Sequence, residues 1–110
     1  MKKVGIIRCR QTEELCPSTA CLKAASAGKL AFEEIGPCEV VGVVSCGGCP
    51  GKQAISRARM LASRGAEVIA LASCLFKGTP IGFPCPHAGV IKEAIRRAIG
   101  ESVVLLEYTH

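Results

Sequence analysis

At 110 residues the chain is long enough to bury a core without covalent staples, and about half of it is apolar. It holds eight cysteines, no tryptophan, no aspartate and a net charge of +5. No stretch approaches the ~18–20 continuous apolar residues a membrane span needs, and the lack of aspartate excludes a hydrolase triad resting on that residue.

The N-terminus, Met1-Lys2-Lys3-Val4-Gly5-Ile6-Ile7-Arg8-Cys9, has a short apolar run and no small-residue cleavage site. It therefore reads as a strand, Lys3 to Arg8, and not as a signal peptide. Gln11 to Leu15 is polar linker. Pro17 and Ser18 are helix start signals, and Leu22, Ala25, Phe32 and Ile35 follow at approximately helical spacing until Gly36-Pro37 stops the run. Glu39 to Ser45, rich in valine, is the second strand.

That strand delivers the stretch on which the chain is organised, Ser45-Cys46-Gly47-Gly48-Cys49-Pro50-Gly51-Lys52. Ala54, Ile55, Ala58, Leu61 and Ala62 recur at helical spacing after it, so the sequence predicts a helix from about Pro50 to Ser63, with Pro50 in the first helical position. Gly47 and Gly48 supply backbone freedom for the turn. Cys46 and Cys49 are then expected on one side of a strand-to-helix turn, near a helix N-terminus that favours thiolate.

Glu67 to Ala72 is the third strand, ending at Ser73-Cys74, and Leu75 to Pro84 reads as a loop. Cys85-Pro86-His87 opens a third helix, in which Val90, Ile91, Ala94, Ile95, Ala98 and Ile99 form an apolar stripe ended by Gly100. Ser102 to Glu107 is the last strand. The order β-α-β-α-β-α-β predicts one α/β domain over 1–110, a three-layer sandwich. A four-stranded parallel sheet with helices on both faces, in flavodoxin-like order, is expected.

On that scaffold the cysteines fall into place. Cys9, Cys46, Cys49 and Cys74 follow strands, Cys85 and His87 precede the third helix, Cys16 and Cys21 flank the first, and His110 follows the last strand. All lie at the carboxyl edge of the sheet, where open α/β sheets hold ligands. Cys38 falls at the opposite edge and reads as packing. Regular strand and helix periods argue against a disulfide scaffold, so reduced thiols in a cytoplasmic setting, bound to metal, are expected.

Soft thiolates select zinc or an iron–sulfur cluster. Cys46, Cys49, Cys74 and Cys85 form the first ligand set, with Cys9, Cys16, Cys21 and His87 as further ligands, supporting groups or a second site. An iron–sulfur cluster on the same thiolates is the first alternative, although the tight cysteine runs of ferredoxins are missing. A thiol–disulfide exchange, with Cys46 attacking and Cys49 resolving, is the second. Phe76 and Phe83 either shield metal–sulfur bonds or complete the core. The basic residues are scattered and not interleaved with aromatics, so no nucleic-acid partner is expected. Backbone N–H groups of Gly48 to Lys52 form a weaker anion cradle, but no Walker spacing is present.

The chain also resembles the CGGC-domain family, small proteins named for the tetrapeptide seen here at Cys46 to Cys49. The resemblance is carried by Cys9, by Cys16-Pro17 with Cys21-Leu22-Lys23, and by Val41-Gly42 ahead of Cys46-Gly47-Gly48-Cys49-Pro50-Gly51. It continues through Arg64-Gly65-Ala66, Ser73-Cys74, Cys85-Pro86-His87 and Thr109-His110. Tyr108 stands where the family usually has glycine. The resemblance implies zinc binding by these cysteines and histidines, and carries no settled enzymatic activity.

Overall fold

The apolar, β-branched runs around Ile6 and Ile69 become the central strands of the sheet because both of their faces are covered. A computed structural model describes residues 1–110. Strands β1 (Lys2–Arg8), β2 (Cys38–Ser45), β3 (Val68–Leu71) and β4 (Val104–Leu106) form one parallel sheet in the order β2-β1-β3-β4. This is the flavodoxin-like order expected from the alternation of strands and helices. Helix α1 (Thr19–Ala27) follows β1, α2 (Gln53–Ser63) follows β2, α3 (Ser73–Phe76) and α4 (Ala88–Ile99) follow β3.

Successive side chains of a strand point to opposite faces, and the core divides accordingly. Ile7, Ile69 and Leu71 pack with Ala54, Ala58, Leu61, Ile91 and Ile95 beneath α2 and α4. Val4, Ile6, Val68 and Ala70 pack with Cys21, Ala24, Ala25 and Phe32 beneath α1. Each large aliphatic or aromatic side chain buried in this way contributes about 1.5–3 kcal/mol. Gly5 and Gly42 are register partners, and a Cβ on either would sit 2.9 or 2.8 Å from the Leu61 side chain. Their missing side chains let α2 rest close on the sheet.

Three element boundaries differ from expectation. The first helix ends at Ala27, not near Ile35: Gly28 takes the left-handed conformation at φ 65°, and Phe32 falls in a separate 3-10 turn, Leu30–Phe32. The second helix begins at Gln53, so Pro50 precedes it in a turn; Gly51, at φ 91°, lies so close to Ile91 that a Cβ there would be 2.4 Å from it. Finally, the segment read as a loop from Leu75 begins inside the one-turn helix α3, whose Leu75 is fully buried.

Candidate functional site

Main-chain hydrogen bonds carry the sheet's carboxyl edge beyond the strands. Cys46 N–H donates to the Arg8 carbonyl at 2.8 Å, Ala72 N–H to the Ile7 carbonyl at 2.8 Å, and Cys85 N–H to the Leu75 carbonyl at 2.7 Å. These bonds draw the segments bearing Cys9, Cys46, Cys74 and Cys85 together over one face of the sheet's end. Cys9 and Cys46 are buried in that core layer, with Cys74 and Cys85 half-buried against it. Burial pushes the Cys9 thiol up; the backbone at Gln11 opposes this, and Cys74, Cys46 and Cys85 add to the rise by mutual repulsion.

A second group lies around a cavity of about 250 Å³ between the start of α1 and the end of β3. Cys16, Cys21, Cys74 and His110 line it, together with the end of Arg8. Cys21 Sγ is 3.1 Å from Thr109 Oγ1, and Thr109 is fully buried. Burial raises the Cys21 pKa; the Thr109 hydroxyl opposes, Cys74 and Cys16 add to the rise, and Arg8 lowers it. Ser73 fixes the tail that supplies Thr109 and His110: its hydroxyl donates to the His110 carbonyl at 2.9 Å and accepts the His110 N–H at 3.0 Å. Lys77 Nζ reaches the same carbonyl at 2.7 Å.

Three sulfurs are presented as acceptors. Cys74 Sγ takes the Cys9 N–H at 3.1 Å, Cys16 Sγ takes the Ser18 N–H at 3.4 Å, and Cys85 Sγ takes the His87 N–H at 3.4 Å. N–H bonds of this kind orient a sulfur and stabilise electron density on it. Cys74 is the joint of the whole arrangement, since it packs against both core layers and lines the cavity.

The CGGC turn itself departs from the expected pairing. Gly47 and Gly48 do take left-handed angles, φ 85° and 101°, as the turn requires. Cys46 is buried while Cys49 is exposed, so the turn separates its two thiols. Three residues separate Cys49 from the first residue of α2, so the helix N-terminus does not act directly on it. His87 is half-buried in a groove with Pro50, Gly51 and Lys52, away from the Cys16–Cys21 cavity. Cys38, at the opposite edge, is buried and donates to the Gly36 carbonyl at 3.2 Å. Phe76 packs on the core, whereas Phe83 is 75% exposed and shields nothing. No three Cys, His or Glu side chains are gathered closely enough to hold an ion without adjustment. Sequence reasoning gave Arg8, Ser73 and Thr109 no role; Ser73 and Thr109 stood only within the family-like blocks Ser73-Cys74 and Thr109-His110, and Arg8 was signalled only as a charged residue closing an apolar strand, Ile6-Ile7-Arg8.

The profile of the CGGC domain matches residues 3–110, including every cysteine and both histidines described above. The chain belongs to the CGGC domain family. It is also similar to the "Uncharacterized protein MJ0582" of Methanocaldococcus jannaschii, 39% identical over 80 residues. That alignment covers 67% of this chain and 62% of the relative, so the chain spans less than two thirds of the relative's length. No solved structure matches. Membership in the CGGC family, with eight cysteines in the chain, is compatible with metal binding, and no helix is long and apolar enough to cross a membrane.

Proposed function

We propose that this CGGC-family protein binds a soft metal ion, zinc in the first instance, through the thiolates of Cys9, Cys46, Cys74 and Cys85. The observation that carries the reading is Cys74: its sulfur accepts the Cys9 N–H, and with Cys85 it packs against the core layer that holds Cys9 and Cys46. An all-sulfur donor set drawn from four separate segments suits zinc or iron and rejects hard cations. Cys49, Cys16, Cys21 and His87 remain outside this set, as supporting groups or a second site.

The chain's own residues would bind and orient. The Cys9 and His87 amides hold the sulfurs of Cys74 and Cys85, and burial of Cys9 and Cys46 keeps water away. A bound zinc would supply a structural centre if four thiolates close around it, or a Lewis acid if one position stays open. Closing the set requires these side chains to move, since no three of them are gathered to hold an ion as they stand. An iron–sulfur cluster is the second reading, favoured by the same N–H···S bonds. Thiol exchange between Cys46 and Cys49 has less support, because one is buried and the other exposed.

Elemental analysis with an absorption spectrum, on protein purified without oxygen and without a metal-binding tag, tests this. About one zinc per chain and no visible absorption is the expected result. Iron with sulfide and a brown colour would select the second reading. Metal-free protein that takes up no zinc on titration under reducing conditions would overturn both.

A further inference from the structure

We infer that the cavity between the start of α1 and the end of β3 binds a small organic anion, a short-chain carboxylate, with its charged head at Arg8. Arg8 is only 9% exposed. Its guanidinium donates through Nε to the Cys9 carbonyl, through Nη1 to the Cys16 carbonyl and Ser18 Oγ, and through Nη2 to Thr12 Oγ1. Every one of these acceptors is neutral. The chain's nine acidic residues are all glutamates and all exposed, and its ion pairs are Lys2–Glu67 and Lys92–Glu107. A buried cation without a counter-charge is costly, so the site is built for an anion that comes from elsewhere. A guanidinium also has five N–H donors, and these four bonds leave the second N–H of Nη2 without a protein acceptor.

The same cavity is walled by the first turn of α1, Thr19 to Cys21. Ser18 stands at the cap position yet makes no capping bond, because its hydroxyl serves Arg8 instead. The amides of Thr19, Ala20 and Cys21 are therefore left facing outward from an uncapped helix start, which carries partial positive charge. A buried cation and an uncapped helix of nine residues, linked through Ser18, thus favour negative charge in one space.

The remaining walls choose the kind of anion. Leu15, Pro17, Ala72 and Pro80 are apolar, and the open cavity of about 250 Å³ is large enough for a small organic molecule. A carboxylate on a short carbon chain sets its head at Arg8 and lays its chain against these apolar walls, a contact that sulfate or phosphate does not make. This inference does not rest on the metal reading: of the proposed ligands only Cys74 lines the cavity, and the anion is assigned to Arg8 and the start of α1, not to Cys74.

Titration of the reduced protein with butyrate, followed by 1H–15N NMR at constant ionic strength against chloride, is the test. Butyrate should shift the Thr19, Ala20 and Cys21 amides and the Arg8 Nε–H saturably, while chloride does not. Arg8→Gln should weaken binding about tenfold or more, the loss expected for a charge-assisted bond. Because Arg8 also ties down the loop, Ala20→Trp is the companion variant: Ala20 is exposed at the rim, and an indole there should fill the cavity and abolish saturation. Absence of saturable shifts, undiminished binding in Ala20→Trp, or sulfate binding as tightly as butyrate would each overturn the inference.

Discussion

The two ends of the sheet treat the same side chain in opposite ways. Cys38 and Cys21 share one core layer and are 3% and 4% exposed, so burial does not distinguish them. Cys38 has no thiol among the groups that shift it, and its S–H is spent on the Gly36 carbonyl. Cys21, at the carboxyl end, is influenced by Cys74, Cys16 and Arg8 and meets the Thr109 hydroxyl. Company and acceptors, more than burial, separate a packing cysteine from a chemical one.

The largest expected effect breaks that comparison at its joint. Cys74→Ser should reduce retained metal from about one per chain to near none after exposure to a mild chelator. Cys38→Ala should leave metal content unchanged and cost about 1–2 kcal/mol of stability, the usual range for losing a small buried side chain. Elemental analysis and denaturant unfolding of both variants read the two outcomes. Equal metal loss in both would mean that the ends of the sheet are not chemically distinct.

The sharpest view of what the sequence could tell comes from the same residues. The apolar strands, the parallel order and the carboxyl-edge position of the cysteines were legible, because strand ends in an alternating α/β chain have only one place to go. The CGGC turn was legible as a turn through its glycines, but the opposite fates of Cys46 and Cys49 were not. Cys46 is buried in a core layer that includes Ile91 of α4, against which Gly51 also seats, and contacts between segments 40 residues apart are not encoded by periodicity. The roles of Arg8, Ser73 and Thr109 escaped for the same reason, although Ser73 and Thr109 stand within family-like blocks. Their roles are hydrogen bonds across the fold, such as Ser73 to Thr109, and no local pattern announces them.

Thr109 offers the next test. Its hydroxyl lies 3.1 Å from Cys21 Sγ and 3.3 Å from Ser73 Oγ, fully buried. Thr109→Val keeps the shape and removes the oxygen, and should cost about 1–3 kcal/mol by leaving the Ser73 N–H and the Cys21 thiol short of a partner. Ser63→Ala, an exposed hydroxyl bonded only to the Met60 carbonyl, should change stability by less than about 0.5 kcal/mol. Chemical denaturation of the two variants side by side separates a tail held by chemistry from a solvent-facing bond.

A smaller effect is expected at the glycines. Gly47 and Gly65 have similar positive φ, 85° and 101°, but lie at opposite ends of the sheet. Alanine at either should cost about 1–2 kcal/mol for the left-handed backbone alone. At Gly65 a Cβ finds only the Lys3 side chain, 3.7 Å away, whereas at Gly47 it would fall 2.7 Å from Gln53 Cβ. Gly47→Ala should therefore be the more destabilising of the pair and should also alter the reactivity of Cys46 and Cys49 toward a thiol reagent. Equal stability loss with unchanged thiol reactivity would show that the CGGC turn tolerates side chains.

The smallest effect isolates Cys38 by pH. Burial raises its pKa above the ordinary 9.0. A thiol whose folded pKa lies above its unfolded value contributes stability that is fully present below the unfolded value and is lost as pH rises through the folded one. Between the two values the unfolded chain has released the proton and the native chain has kept it, so stability falls by at most about 1.4 kcal/mol per pH unit for this single group. Cys9 and Cys21 are shifted in the same direction, so the whole protein should weaken at alkaline pH. The difference between the native chain and Cys38→Ala gives the Cys38 share: the variant's curve should fall less steeply above about pH 9. Parallel curves would mean that Cys38 is no more shielded from ionisation in the folded protein than in the unfolded one, and that its burial is packing without an electrostatic consequence.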